Sequence, residues 1–115
     1  MALIVSDDFP GMAEAIGTLF PLTEHQLCFL HLQRNVRRNM GKEDTSLFNR
    51  ELENIRLSRN YEEGKERLDR LCRQNQPKYP SFIKNLQSRA EHYVCFLKYP
   101  EEIRRYLYDK LGGKF

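Results

Sequence analysis

Two adjacent carboxylates, Asp7 and Asp8, follow the apolar run Ala2-Leu3-Ile4-Val5 and Ser6. A carboxylate fixed at the end of a strand can hold Mg²⁺ or Mn²⁺ against substrate phosphates, because hard cations take oxygen ligands. Strand ends of α/β sheets are also where ligands collect. Two-metal phosphoryl transfer needs several such groups. A polar turn or a helix cap uses aspartate equally well, and spacing alone favours that plainer role. Cys28-x-x-His31 has the spacing of metal ligands, and His92-x-x-Cys95 offers a second pair. Together the four side chains make a Cys2His2 zinc set if they converge. Free cysteines are more often core residues, so Cys72 and Cys95 are expected in the core and tightly bound zinc is not expected. The arginines fall into two groups, Arg34, Arg37 and Arg38, and Arg56, Arg59, Arg67, Arg70 and Arg73. Either group can meet nucleic-acid phosphates or simply solvate a helix face. There is no glycine-rich phosphate loop and no local signature of a serine or cysteine nucleophile.

The elements that must position these groups can be read from periodicity. The run ending at Val5 reads as a buried strand. Pro10 suits the first turn of a helix, which then carries Met12, Ala15, Ile16 and Leu19 as far as Phe20-Pro21. Gln26 to Leu30 reads as a second strand, and His31 to Met40 as a helix stopped by Gly41. This β-α-β-α order is the grammar of a layered α/β domain, and two strands alone make an incomplete sheet. From Lys42 onward no strand-like alternation remains. Asp44 or Thr45 is a candidate cap for a helix bearing Phe48, Leu52 and Ile55. Asn60 is a candidate cap for another, through Leu68, Leu71 and Cys72. Ser81 to Leu97 carries a continuous amphipathic pattern. Pro100 opens a last helix with Ile103, Tyr106 and Leu107, ended by Gly112-Gly113. Exposed strand edges make a homodimer by edge pairing or swapping an expectation.

The 115 residues suit one domain or part of one. Hydrophobic residues make up 40% and charged residues 30%, a globular balance rather than a disordered one. No apolar run is long enough for a membrane helix and no signal peptide is evident, so a cytoplasmic protein without membrane partners is expected. Three widely spaced cysteines argue against a secreted disulfide framework. The net charge of +3 is too small to establish nucleic-acid binding by itself.

Taken in order, these segments resemble a known family. Val5-Ser6-Asp7-Asp8-Phe9-Pro10-Gly11-Met12, Ala15-Ile16, Phe20-Pro21, Gln26-Leu27-Cys28-Phe29-Leu30-His31 and Arg34-Asn35 are similar to the central block of Mutator-like transposases of bacterial and archaeal insertion sequences. Lys78-Tyr79-Pro80-Ser81 and Tyr99 to Tyr108 match later landmarks. The resemblance implies a partial ribonuclease-H-like catalytic core over 1–41, an all-helical insertion over 42–98, and a C-terminal helix and tail over 99–115. It implies that Asp7 is one carboxylate of an Asp-Asp-Glu triad that binds Mg²⁺ or Mn²⁺, with Asp8 standing where the family commonly has glycine. Cys28 and His31 match a signature beside the active site, and Arg34, Asn35, Arg37 and Arg38 become candidates for the DNA backbone. The family's first Asp and its Glu have no counterpart between Met1 and Phe115, so this chain alone is expected to be inactive. DNA is the implied partner of the intact enzyme. A non-catalytic DNA- or protein-binding helical module and a small zinc-stabilised domain are the alternatives.

Overall fold

The computed structural model describes residues 3–6 and 11–104. The expectations placed on Asp7, Asp8 and Pro10, and on Tyr106, Leu107 and Gly112-Gly113, lie outside the described residues. The chain is mostly helical with one small parallel sheet. Strand β1 (Leu3–Ser6) pairs in parallel with β2 (Glu24–Leu27), in the register Leu3 to Glu24 through Ser6 to Leu27. Parallel neighbours need a crossover, and helix α1 (Met12–Leu19) supplies it. Gly11, with φ 81°, precedes α1 in the left-handed region that favours glycine. Of the apolar stripe expected on α1 only Ile16 is buried, and Leu19 is 70% exposed. Two strands about 4.8 Å apart are narrower than a helix with its side chains, so this sheet cannot cover the whole stripe.

Helix α2 (Phe29–Asn39) follows β2 at once. The second strand thus starts two residues before the expected Gln26 and ends three before the expected Leu30. The reason is that Cys28 already has the extended conformation of a helix cap, and its carbonyl accepts from Leu32 N–H at 3.2 Å. Gly41 does not terminate α2 in a left-handed turn. It is extended (φ −65°, ψ 163°) and caps α3 (Lys42–Arg56), its carbonyl accepting from Thr45 N–H. Asp44 therefore sits inside the first turn of α3 instead of capping it, bound by Lys78 and by the Tyr79 hydroxyl. Asn60 caps α4 (Tyr61–Asn75) as its sequence context suggests, its side chain accepting from Glu63 N–H at 2.8 Å.

The pattern over Ser81 to Leu97 is not one helix. It forms α5 (Pro80–Ser88), a break at Arg89, α6 (Ala90–Val94) and a 3-10 turn (Cys95–Lys98). At the break, the Arg89 and His92 amides bond three residues back rather than four. At the second transition a strand side chain intervenes: Gln26 Oε1 accepts from Phe96 N–H at 3.1 Å, and Gln26 Nε2 donates to the Tyr93 carbonyl at 3.1 Å. Pro100 opens a further helical turn, its carbonyl accepting from Arg104 N–H. One apolar core joins sheet and helices, from Leu27, Leu32 and Val36 through Phe48, Leu52, Ile55 and Leu68 to Ile83, Val94 and Leu97. Among the described residues no helix is long and apolar enough to cross a membrane.

Candidate functional site

Parallel pairing brings the two carboxyl ends of the strands to one edge of the molecule. The ladder extends one residue past β2, because Cys28 N–H donates to the Ser6 carbonyl at 3.1 Å. The Cys28-x-x-His31 segment thus starts beside the last described residue of β1, and the next residue in the chain is Asp7. Cys28 is buried, and His31 is half-buried in the first turn of α2. This is the end of the sheet where open α/β folds place ligands.

A second set of polar groups braces the strands. Ser6 Oγ and His25 Nε2 are hydrogen-bonded at 2.6 Å. The His25 ring stands 4.9 Å from that of His92, whose Nδ1 donates to the His25 carbonyl at 3.0 Å. Cys95 Sγ also donates to that carbonyl and to Gln26 Oε1. His92 and Cys95 are thereby used in fastening α6 and the 3-10 turn to β2. Among the described residues no group of three or more His, Cys, Asp or Glu is arranged to hold a metal, and the Cys28, His31, His92 and Cys95 side chains are not drawn together as one set. Burial pushes the Cys95 thiol up to about 12 and the Cys72 thiol to about 11. Both are core groups, not nucleophiles.

Among the described residues four of the five arginines in the second group are ion-paired, and the exposed Arg73 is not. On α4 and its approaches, Arg59 and Arg67 pair with Glu63, Arg70 with Glu66, and Arg56 with Glu53. Arg34, Arg37 and Arg38 are exposed on α2, and among the described residues no carboxylate pairs with them. Leu32 and Val36 bury the opposite side of that helix. Asn35 flanks the exposed arginines and is half-buried.

The family model for the transposases of the Mutator family matches residues 1–110. The chain belongs to that family. It is 24% identical over 109 residues to a transposase for insertion sequence element IS905 from Lactococcus lactis, covering 95% of this chain and 28% of that protein. The transposase for ISRM3 from Rhizobium meliloti is 31% identical over 107 residues (92% of this chain, 27% of the relative). That for IST2 from Acidithiobacillus ferrooxidans is 26% identical over 105 residues (91% and 36%). The chain spans about a third or less of the length of these relatives.

Within this Mutator-family segment, Gln26 and His25 are the residues that periodicity passed over. A glutamine inside an apolar strand run was the available signal, since a buried amide must find partners. Gln26 is 1% exposed and finds four, adding the Leu27 carbonyl to those named above.

A charged cluster closes the far side of β2. Glu91 accepts from the Tyr61 hydroxyl and pairs with Lys98 at 3.0 Å, while Lys98 also reaches Glu24 and lies over the Tyr61 ring. The hydrogen bond to Glu91 pushes the Tyr61 hydroxyl up to about 12. Burial opposes ionisation of Glu91, but the hydrogen bonds from Tyr61 and Lys98 outweigh it and hold this carboxyl below its ordinary 4.5. A carboxylate depressed in the fold contributes stability above its unfolded value and loses it as pH falls through the folded one. Acid titration is therefore expected to erode stability below about pH 4.5, and Glu91→Gln to flatten that limb. The side chain is 45% exposed, so the effect is expected to stay under about 1 kcal/mol. Urea midpoints of both proteins from pH 3 to 7 check this; parallel profiles would refute it.

Proposed function

We propose that this chain is part of the ribonuclease-H-like catalytic core of a DNA transposase, with Asp7 as one of its metal-binding carboxylates and α2 as a wall facing DNA. One observation carries the reading. The Cys28 N–H to Ser6 carbonyl bond sets the Cys28-x-x-His31 segment beside the strand whose sequence continues into Asp7. In the intact enzyme the reaction is Mg²⁺- or Mn²⁺-dependent DNA strand cleavage followed by strand transfer, carried out in the cytoplasm. The described residues do not make the metal site themselves. Glu24 stands at the opposite, amino end of β2 and is engaged by Lys98. Converging carboxylates are needed because Mg²⁺ keeps most of its waters otherwise.

What the chain's own residues do is hold and orient. Arg34, Arg37 and Arg38 offer guanidinium forks to backbone phosphates, a contact that fixes register without reading sequence. Cys28 and His31 shape the first turn of α2 against the strand end. A non-catalytic DNA-binding module is the second reading, favoured by the same exposed arginines.

The two are separated by transplanting residues 1–110 into the matching stretch of a full-length Mutator-family transposase and measuring strand transfer. The transplant is expected to work, and Asp7→Asn in it to lower transfer by more than about 100-fold, the upper range for losing a group that only supports a metal ligand. Transfer that survives Asp7→Asn would leave the binding module as the better account.

A further inference from the structure

Among the described residues His25, Gln26 and Ser58 are the buried polar ones. Gln26 clasps β2 to the 3-10 turn, and Ser58 donates to the Asn54 carbonyl. His25, at 6% exposure, is used differently. Burying an imidazole is unfavourable unless its nitrogens find partners, and an apolar side chain would fill the same place without that penalty. The register pairs Ile4 with His25 and Ser6 with Leu27. Paired residues of a parallel ladder share a face, and side chains alternate along each strand. Ser6 and His25 therefore stand on one face as diagonal neighbours. A serine is too short to span that diagonal. The imidazole reaches across it, and His25 Nε2 meets Ser6 Oγ at 2.6 Å.

Ser6 is the last residue of β1 and immediately precedes Asp7 in the chain. Its carbonyl takes the last rung of the ladder, from Cys28 N–H at 3.1 Å. Ser6 is thus tied through its carbonyl to the start of α2 and through its hydroxyl to His25. A four-residue strand with one neighbour in the described sheet has few rungs, so each tie near its end weighs on where the chain goes next. His25 is in turn anchored from the helical side. Its carbonyl accepts from His92 Nδ1 at 3.0 Å and from Cys95 Sγ at 3.3 Å, and the two imidazole rings stand 4.9 Å apart. One line of contacts therefore runs from α6 and the 3-10 turn through His25 to the end of β1.

We propose that His25 is a positioning residue for the carboxylate at the end of β1. Through Ser6 it fixes the point at which the chain passes into Asp7, and α6 and the 3-10 turn hold it there. This rests on the transposase reading and adds that the helical region bears on the metal-binding carboxylate from a distance. Phosphoryl transfer is sensitive to such placement, because a shift of about 1 Å in a reacting group can cost about 100-fold in rate. His25 is asked neither to move a proton nor to touch DNA; it acts through Ser6.

The first arm of the test is amide hydrogen exchange, read by NMR on the whole chain. His25→Phe keeps a buried ring and loses the bond to Ser6. The Cys28 amide, which reports the last rung of the ladder, is expected to exchange about tenfold faster relative to the Ile83 amide of α5, which follows overall stability. Ser6→Ala trims one atom, is expected to act alike, and serves if His25→Phe folds poorly. His25→Gln, whose amide reaches the place of Nε2, is expected to restore protection. The second arm puts the same changes into the full-length transposase carrying residues 1–110. His25→Phe and Ser6→Ala are each expected to lower the rate of strand transfer at saturating DNA by about 10–100-fold, the range for a group that supports a metal ligand. The pair together should do little more than either alone. Affinity for DNA should change by less than about twofold, since a positioning group acts on the rate and not on binding, and His25→Gln should recover most of the rate. Equal acceleration of the Cys28 and Ile83 amides in both variants overturns the proposal, and so does a fall in DNA affinity that matches the fall in rate. If Asp7→Asn abolishes transfer while His25→Phe leaves it intact, His25 is only a brace and the transposase reading survives. If Asp7→Asn leaves transfer intact, both fall.

Discussion

Gln26→Leu is expected to destabilise the protein by about 3–5 kcal/mol, because it strips partners from several buried groups at once. The native side chain donates to the Leu27 and Tyr93 carbonyls and accepts from Phe96 N–H and Cys95 Sγ. Leucine keeps the volume but makes none of these bonds, and each orphaned buried group costs about 1–3 kcal/mol. The total is comparable with the whole stability of a small domain. With a urea slope of about 1–3 kcal/mol per molar, the unfolding midpoint should fall by more than about 1 M. Gln26→Glu gives a more discriminating result. A carboxyl here still accepts from Phe96 N–H, but ionised it cannot donate to Tyr93, and burial raises its pKa. A group raised in the fold contributes stability that is present below its unfolded pKa and lost as pH rises through the folded one. Gln26→Glu should thus be more stable at pH 4 than at pH 7. Equal midpoints at the two pH values would mean that Gln26 is not the clasp between β2 and the 3-10 turn.

The second large effect is expected at Gly64 in α4. A methyl group built on this residue would lie 2.2 Å from Leu97 Cδ1, far inside contact distance. Leu97 is 3% exposed, so its side chain has little room to retreat. An exposed helix-interior glycine would gain about 0.5–1 kcal/mol on replacement by alanine. Here overpacking reverses the sign, and Gly64→Ala is expected to cost about 1–3 kcal/mol. Leu97→Ala should cost about 2–5 kcal/mol alone, yet the double variant should be less destabilised than the sum, because the added methyl occupies part of the vacated space. A double-mutant cycle by urea unfolding measures this directly. Additive behaviour, or a stabilising Gly64→Ala, would show that α4 and the 3-10 turn are not in close apposition.

Much of the fold was legible residue by residue. The β-branched run before Ser6, the helical spacing of Met12, Ala15, Ile16 and Leu19, the apolar run from Gln26 and the periodicity after His31 specify strand, crossover helix, strand and helix in the order observed, because each depends only on neighbours along the chain. Asn60 as a cap is local in the same way. The neutralised state of Arg67 and Arg70 could also have been read, since Glu63 and Arg67, or Glu66 and Arg70, stand four residues apart. The family itself was legible in landmarks such as Cys28-x-x-His31 and Arg34-Asn35.

Tertiary structure decided the rest. The helix expected over Ser81–Leu97 gives way to a 3-10 turn after Val94, where the backbone at Tyr93 and Phe96 bonds to the Gln26 side chain, about 70 residues away, and periodicity contains no such partner. His92 and Cys95 look like ligands in sequence, but folding turns both toward the His25 carbonyl. The sequence by itself determined local geometry, caps and apolar faces, which act over a few residues. Only the packed chain decided which polar groups meet, because hydrogen bonds and ion pairs depend on distances that are set once the core has closed.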